Sequence, residues 1–154
     1  MSVHPEDRQE IKDTVFRLLS YRLRSVQELR QRLTQKGYGA EVVQSVLKEL
    51  QSKGYLDDRK FGRAFIHDQI HLKHAGPHLI RKRLAGFGIP GALIESLVQE
   101  ACSPSVEEEL IRYWLNKKKI RVEDLDYQSR GRVSAFLTRK GFSSELVREM
   151  LQPK

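Results

Sequence analysis

Leu33-Thr-Gln-Lys-Gly37-Tyr38 decides how this chain folds, because the same pattern returns as Leu84-Ala-Gly-Phe-Gly88-Ile89 and again as Leu137-Thr-Arg-Lys-Gly141-Phe142. The glycines stand 51 and then 53 residues apart. Four residues before each lies Leu33, Leu84 or Leu137, and eight before lies Leu29, Ile80 or Val133, the i, i+4 stripe of an amphipathic helix. A helix end closes readily through a left-handed residue, which glycine supplies without a Cβ clash, and the apolar residue after it packs back on the helix. Gly37, Gly88 and Gly141 therefore read as three helix stops.

Beyond each stop the apolar pattern resumes at fixed offsets: Val42, Val43, Val46, Leu47; then Leu93, Ile94, Leu97, Val98; then Leu146, Val147, Met150, Leu151. Twelve apolar residues fill twelve slots, so each stop is followed by another helix. A third helical pattern precedes each pair, on Ile11, Val15, Leu18 and Leu19, on Phe61, Phe65 and Leu72, and on Leu110, Ile111, Trp114 and Leu115. Ser25-Val-Gln-Glu28 and Ser105-Val-Glu-Glu108 fit capping boxes, and Gly76-Pro77 puts proline at a first helical position. Strand signals are nearly absent. The expected fold is all-α: three tandem three-helix repeats, resembling homeodomain or helix-turn-helix units, over residues 1–54, 55–103 and 104–154. Repeats of this size stack on their neighbours, which predicts an elongated, curved body.

The junction between the first two repeats reads Lys53-Gly54-Tyr55-Leu56-Asp57-Asp58-Arg-Lys-Phe61. Adjacent carboxylates can serve a metal or acid/base site, yet here they fit a simpler role. Gly54 is a further helix stop, Asp57 the N-cap of the next helix, and Asp58 a first-turn charge favoured by the helix dipole. In that register Leu56 and Phe61 take the positions of a hydrophobic staple.

Composition narrows the function. The 154 residues are 39% hydrophobic and 31% charged, which leaves a thin core and little room for an enclosed catalytic cavity. Lys and Arg number 28 against 20 acidic residues, a net charge of +8, which favours an anionic partner. Cys102 is alone, so no intrachain disulfide is possible. Met1 to Asp7 lacks the apolar run of a signal peptide, and no segment is apolar enough to span a membrane, so a cytoplasmic protein is expected.

Candidate chemistry is sparse. His67-Asp-Gln-Ile-His71 differs from the zinc-protease signature by Asp68 in place of the glutamate base, one methylene short, and no further ligand is patterned. Solvated histidines, with no metal and no cofactor, are the expected reading, and a zinc hydrolase is the alternative it displaces. Cys102 has no patterned base beside it and reads as a packed, inert thiol. Nucleotide-cradling and nucleophile-elbow motifs do not occur.

The cations are the better binding candidates. Arg22, Arg24, Arg30 and Arg32 surround the second helix of the first repeat. Arg81, Lys82 and Arg83 sit on its counterpart in the second, and Arg130, Arg132, Arg139 and Lys140 on that of the third. Lys117, Lys118, Lys119 and Arg121 form a further cluster. If the three helices stack equivalently, these charges line one ridge facing a polyanion, with salt-dependent phosphate contacts.

Arg24-Ser25-x-x-Glu28-Leu29-x-x-x-Leu33-x-x-Lys36-Gly37, then Gly54-Tyr55-Leu56-Asp57-Asp58-x-x-Phe61, then Gly76-x-x-x-Ile80-x-x-x-Leu84-x-x-x-Gly88-Ile89 resembles the RecX family of bacterial regulators of the RecA recombinase. The ordered match runs from about residue 14 to 98, and the third repeat follows more loosely through Leu137, Gly141 and Phe142. The resemblance implies tandem three-helix repeats and a non-enzymatic modulator, usually an inhibitor, that binds the RecA–DNA filament. Such a protein blocks filament extension and strand exchange, lowers ATP hydrolysis, and touches single- and double-stranded DNA weakly without sequence preference. A monomer with no membrane partner is expected. Gly62 departs from the family's usual alanine, at a helix cost of about 1 kcal/mol. A helix-turn-helix transcription regulator is the alternative from another class, and it predicts a tight, sequence-specific duplex site.

Overall fold

The computed structural model describes residues 5–153; the N-terminal part of the Met1–Asp7 reading and the repeat limits at residues 1 and 154 lie outside the described residues. Nine α-helices occur among the described residues, with no strand. They run α1 (Pro5–Tyr21), α2 (Val26–Gln35), α3 (Ala40–Ser52), α4 (Asp58–His71), α5 (Pro77–Gly86), α6 (Gly91–Ala101), α7 (Pro104–Lys117), α8 (Tyr127–Arg139) and α9 (Ser144–Leu151). A short 3-10 turn, Val122–Asp124, precedes α8. Three tandem three-helix repeats are thus present.

Each expected glycine stop closes its helix. Gly37, Gly54, Gly88 and Gly141 have φ of +100°, +83°, +76° and +99°. At Gly37 the bonds are Tyr38 N–H to Leu33 O (3.3 Å) and Gly37 N–H to Thr34 O (3.0 Å), and the other three repeat that two-bond pattern. α5 begins with Pro77 behind Gly76, and the Ser25–Glu28 capping box is formed.

Three local expectations are corrected. Ser105 does not cap α7: Ser103 does, accepting from Val106 N–H, because Pro104 fits the first helical position and leaves Ser105 inside the turn. Leu72 is 70% exposed at the end of α4, whose buried face is Phe61, Ile66, Gln69 and Ile70. Leu56 and Phe61 do not staple one helix end. Leu56 is buried in the core of α1–α3, Phe61 in that of the later helices, so the pair straddles the junction. Gly62 does not interrupt α4; it is buried where a Cβ would meet the Leu97 side chain of α6, so the helices approach closely there.

The core falls into two clusters. Ile11, Val15, Leu29, Leu33, Val43, Val46, Leu47 and Leu50 form one within α1–α3. Ile66, Ile80, Leu84, Leu97, Ile111, Leu137, Phe142 and Val147 belong to a second, which runs unbroken from α4 to α9. The last two repeats share apolar packing, whereas the first joins them mainly by capping contacts.

Candidate functional site

The second helices of the repeats meet end to end. At the start of α2, Ser25 Oγ accepts from Glu28 N–H (3.1 Å) and donates to Phe87 O (2.8 Å) at the end of α5. A Cβ on the next residue, Gly88, would collide with the Gln27 side chain. At the start of α5, Gly76 N–H donates to Lys140 O (2.7 Å) and His78 N–H to Gly141 O (2.9 Å) at the end of α8. There a Cβ on Gly76 would strike the Gly141 backbone. Ser25 and Gly76 are 51 residues apart, Phe87 and Lys140 53, so the repeat spacing itself reproduces one junction at the next. Each junction sets the electropositive start of one helix against the electronegative end of another.

The two aspartates of Gly54-Tyr55-Leu56-Asp57-Asp58 serve this junction. Asp57 accepts from Arg59 and Lys60 N–H and caps its own helix. Asp58 reaches back across the repeats, and its Oδ1 accepts from Val26 N–H (3.0 Å), an open donor at the start of α2. Burial raises the Asp58 carboxyl above the usual carboxylate range, against the pull of the Val26 amide. Tyr55, in contrast, lies exposed and meets Phe16 edge to face, with ring centres 5.1 Å apart. At the far end α8 caps itself, through a reciprocal Asp126–Ser129 pair.

The candidate cations divide by what they touch. Arg24 has a side chain 12% exposed, faces Leu18 O and Glu28, and is lowered in pKa by burial. Arg130 donates to Leu151 O (3.1 Å) and Leu125 O (3.0 Å) and ties α8 to the chain end. Arg22 pairs with Glu28, Arg81 with Glu95 (2.9 Å), and Arg83 donates to the buried amide of Gln69. Arg121 lies 4.0 Å from Asp124. Arg32, Lys82, Lys119, Arg132 and Arg139 are exposed and join no ion pair among the described residues, and Arg30 only meets Gln27. The ridge is in register only across the first two repeats, where Arg30 and Arg32 stand 51 residues before Arg81 and Arg83. The equivalent third-repeat positions are Ser134 and Phe136.

Of these two, Phe136 belongs to a cluster that counting charges missed. Trp114 and Phe136 meet edge to face with ring centres 5.5 Å apart, and Trp114 Nε1 donates to His74 O (2.7 Å) across the junction of the last two repeats. His74 stacks on Tyr113 at 3.5 Å. Lys140 lies 4.5 Å over Trp114, Lys118 4.0 Å over Phe136, and Lys117 within 5.7 Å of both Tyr113 and Trp114. Three cations are thus held over a half-buried aromatic surface. The signal available in sequence was Tyr113-Trp114 followed by Lys117-Lys118-Lys119, but Phe136 and Lys140 join it only through the fold.

His67 and His71 lie exposed on α4, at the rim of a cleft of about 510 Å³ between α4, α6 and α7. Among the described residues no three His, Cys, Asp or Glu side chains group as metal ligands. Cys102 packs against the second core, and burial, followed by the charge of Glu107, pushes its thiol up to about 11. It therefore carries little thiolate at neutral pH.

Residues 12–50 match the family description RecX, first three-helix domain, and residues 106–151 match RecX, third three-helix domain. The Regulatory protein RecX of Legionella pneumophila is 34% identical over 140 residues, covering 91% of each chain. That of Thermotoga maritima (strain ATCC 43589 / DSM 3109 / JCM 10099 / NBRC 100826 / MSB8) is 36% identical over 136 residues, 88% of this chain and 79% of its own. For the Geobacillus thermodenitrificans (strain NG80-2) protein the values are 35% identity over 130 residues and 84% of this chain but 48% of the relative, so the chain spans about half that relative's length. A solved regulatory protein RecX superposes with a TM-score of 0.80 at 25% identity, over 94% of this chain and 70% of that one. RecX from Lactobacillus salivarius shares the fold, with a TM-score of 0.82 over 97% of both chains. With two of its three-helix domains matched and close to nine-tenths or more of its length aligned to the Legionella and Thermotoga proteins, the chain belongs to the RecX family of regulatory proteins.

Proposed function

We propose that this chain regulates the RecA recombinase by binding the RecA–DNA filament, where it blocks extension and strand exchange and lowers ATP hydrolysis, with no catalysis of its own. It acts as a monomer in the cytoplasm, through the units 1–54, 55–103 and 104–154. The observation that carries this reading is the end-to-end succession of α2, α5 and α8 with exposed Arg30, Arg32, Lys82, Arg132 and Arg139 along it. Thirty-three residues of helix extend over about 50 Å at 1.5 Å each. Cations spread over that length suit a filament groove that presents acidic protein and DNA phosphate together, and they suit a single compact ligand poorly. The Lys117, Lys118 and Lys140 cluster adds a sequence-tolerant contact to DNA.

The test is RecA's DNA-dependent ATP hydrolysis with this chain titrated in. Hydrolysis falls at substoichiometric or equimolar chain, and it recovers when Arg32 and Lys82 are both changed to glutamate. Unchanged hydrolysis at equimolar chain overturns the reading. A tight site on one duplex sequence would instead mark a transcription regulator. Arg81 and Arg83 are unsuitable for such a reversal, because Glu95 and Gln69 hold them in the fold.

A further inference from the structure

We propose that His67 and His71 form a two-histidine site for a divalent transition-metal ion that takes ligands at right angles, Cu2+ or Ni2+, in preference to tetrahedral Zn2+. One helical turn separates the residues on α4, and their rings are tilted at 47° with centres 4.3 Å apart. A metal–imidazole bond of about 2.0–2.1 Å puts each ring centre roughly 3.2 Å from the ion. Two such rings at 90° about the ion have centres about 4.5 Å apart, and at the tetrahedral angle about 5.2 Å. The observed 4.3 Å is nearer the right-angle spacing than the tetrahedral one. Square-planar or tetragonal nitrogen–oxygen sites suit Cu2+ and Ni2+, and the general order of affinity also puts Cu2+ above Ni2+ and Zn2+.

The surroundings favour the site and limit its strength. Asp68 Oδ1 lies 3.7 Å from His67 Nδ1. At that distance the carboxylate adds negative charge beside the site without a hydrogen bond to the ring. Arg63, whose charge would repel a cation in the neighbouring cleft, is paired with Glu100 at 3.4 Å, and Glu109 lines the same cleft. His74 is held elsewhere, stacked on Tyr113. No third protein ligand completes the set among the described residues, so water fills the remaining positions and binding is reversible. The site does not depend on the RecA reading, and it supplies no hydrolytic base.

The experiment is calorimetric titration of the full-length, untagged chain with Cu2+, Ni2+ and Zn2+, with circular dichroism to confirm that each variant keeps its helices. The expected result is one ion per chain, bound in the order Cu2+, Ni2+, Zn2+. His67→Ala and His71→Ala each lower the affinity well over tenfold, and His4→Ala, His74→Ala and His78→Ala leave it within twofold. Unchanged affinity in His67→Ala or His71→Ala, or Zn2+ bound more tightly than Ni2+, overturns the proposal. A loss in His4→Ala equal to that in His71→Ala places the ion elsewhere and overturns it too.

Discussion

Lys119 stands where the chain elsewhere uses glycine. It follows the end of α7 with φ of +57°, and Ile120 N–H to Leu115 O (2.9 Å) with Lys119 N–H to Asn116 O (3.1 Å) repeats the closure made at Gly37, Gly54, Gly88 and Gly141. A left-handed conformation costs a side-chain-bearing residue about 1–2 kcal/mol. Lys119→Gly is therefore expected to raise stability by about 1 kcal/mol, seen as a higher urea midpoint at unchanged slope. The paired aspartates separate in the same assay. Asp57→Ala removes a cap and lowers stability by about 1 kcal/mol, whereas Asp58→Ala leaves the Val26 amide without a partner and costs about 1–3 kcal/mol. Glu49 makes the acid limb. Lys53, then Lys12 and Arg8, hold its carboxyl down to about 2 from 4.5, so the folded state is the weaker acceptor of protons. Its stabilisation is present above pH 4.5 and is lost as pH falls toward 2. Glu49→Gln should flatten that part of a stability-against-pH profile; an identical profile would exclude the triad of cations as its cause. Asp58 has the opposite sign. Its raised carboxyl favours the folded state when protonated, so its contribution declines as pH rises through its folded value.

At the level of elements, the repeat was legible because its signals are local. A glycine stop depends on the backbone at one residue, and an apolar stripe on a spacing of three or four. The errors arose where two local signals competed. Ser103 and Ser105 both lie close enough to the start of α7 to read as its cap, and Pro104 decides between them only once its position is known. Leu72 continues a plausible stripe but falls just past the last turn of α4, beyond the neighbours that bury Ile66 and Ile70. The junctions have no local signal at all, since Gly76 pairs with Lys140 at 64 residues' remove and Val26 with Asp58 at 32. Gly76 has an ordinary φ of −81°, so its need for glycine comes wholly from the backbone of Gly141 packed on it. Gly76→Ala should lower stability by about 1–3 kcal/mol. Hydrogen exchange should place the loosening at the start of α5 and the end of α8, and loosening confined to α1–α3 would show that the junction lies elsewhere.

For the whole molecule, the division of the core matters more than the count of repeats. The first repeat keeps its own apolar cluster and touches the rest through Ser25, Val26 and Gln27, while the second and third share one core. The surface they share carries the aromatic–lysine cluster, and Trp114 is the chain's single tryptophan. Single-stranded DNA should therefore quench Trp114 fluorescence, less so as salt rises, and Lys140→Glu should weaken that effect without unfolding the chain. Emission unmoved by DNA at low salt would place any DNA contact on another face.

Composition, the 51- and 53-residue spacing and the glycine stops were enough to establish an all-helical chain of three-helix repeats with an excess of positive charge. These are properties of single helices and of summed charge, which need no knowledge of what each helix meets. Only the tertiary structure decided which cations remain exposed, that Asp58 caps a helix of the preceding repeat, and that Phe136 and Lys140 come to lie on Trp114. Those outcomes depend on contacts between residues tens of positions apart, where a side chain's role is set by the partner that the fold brings to it.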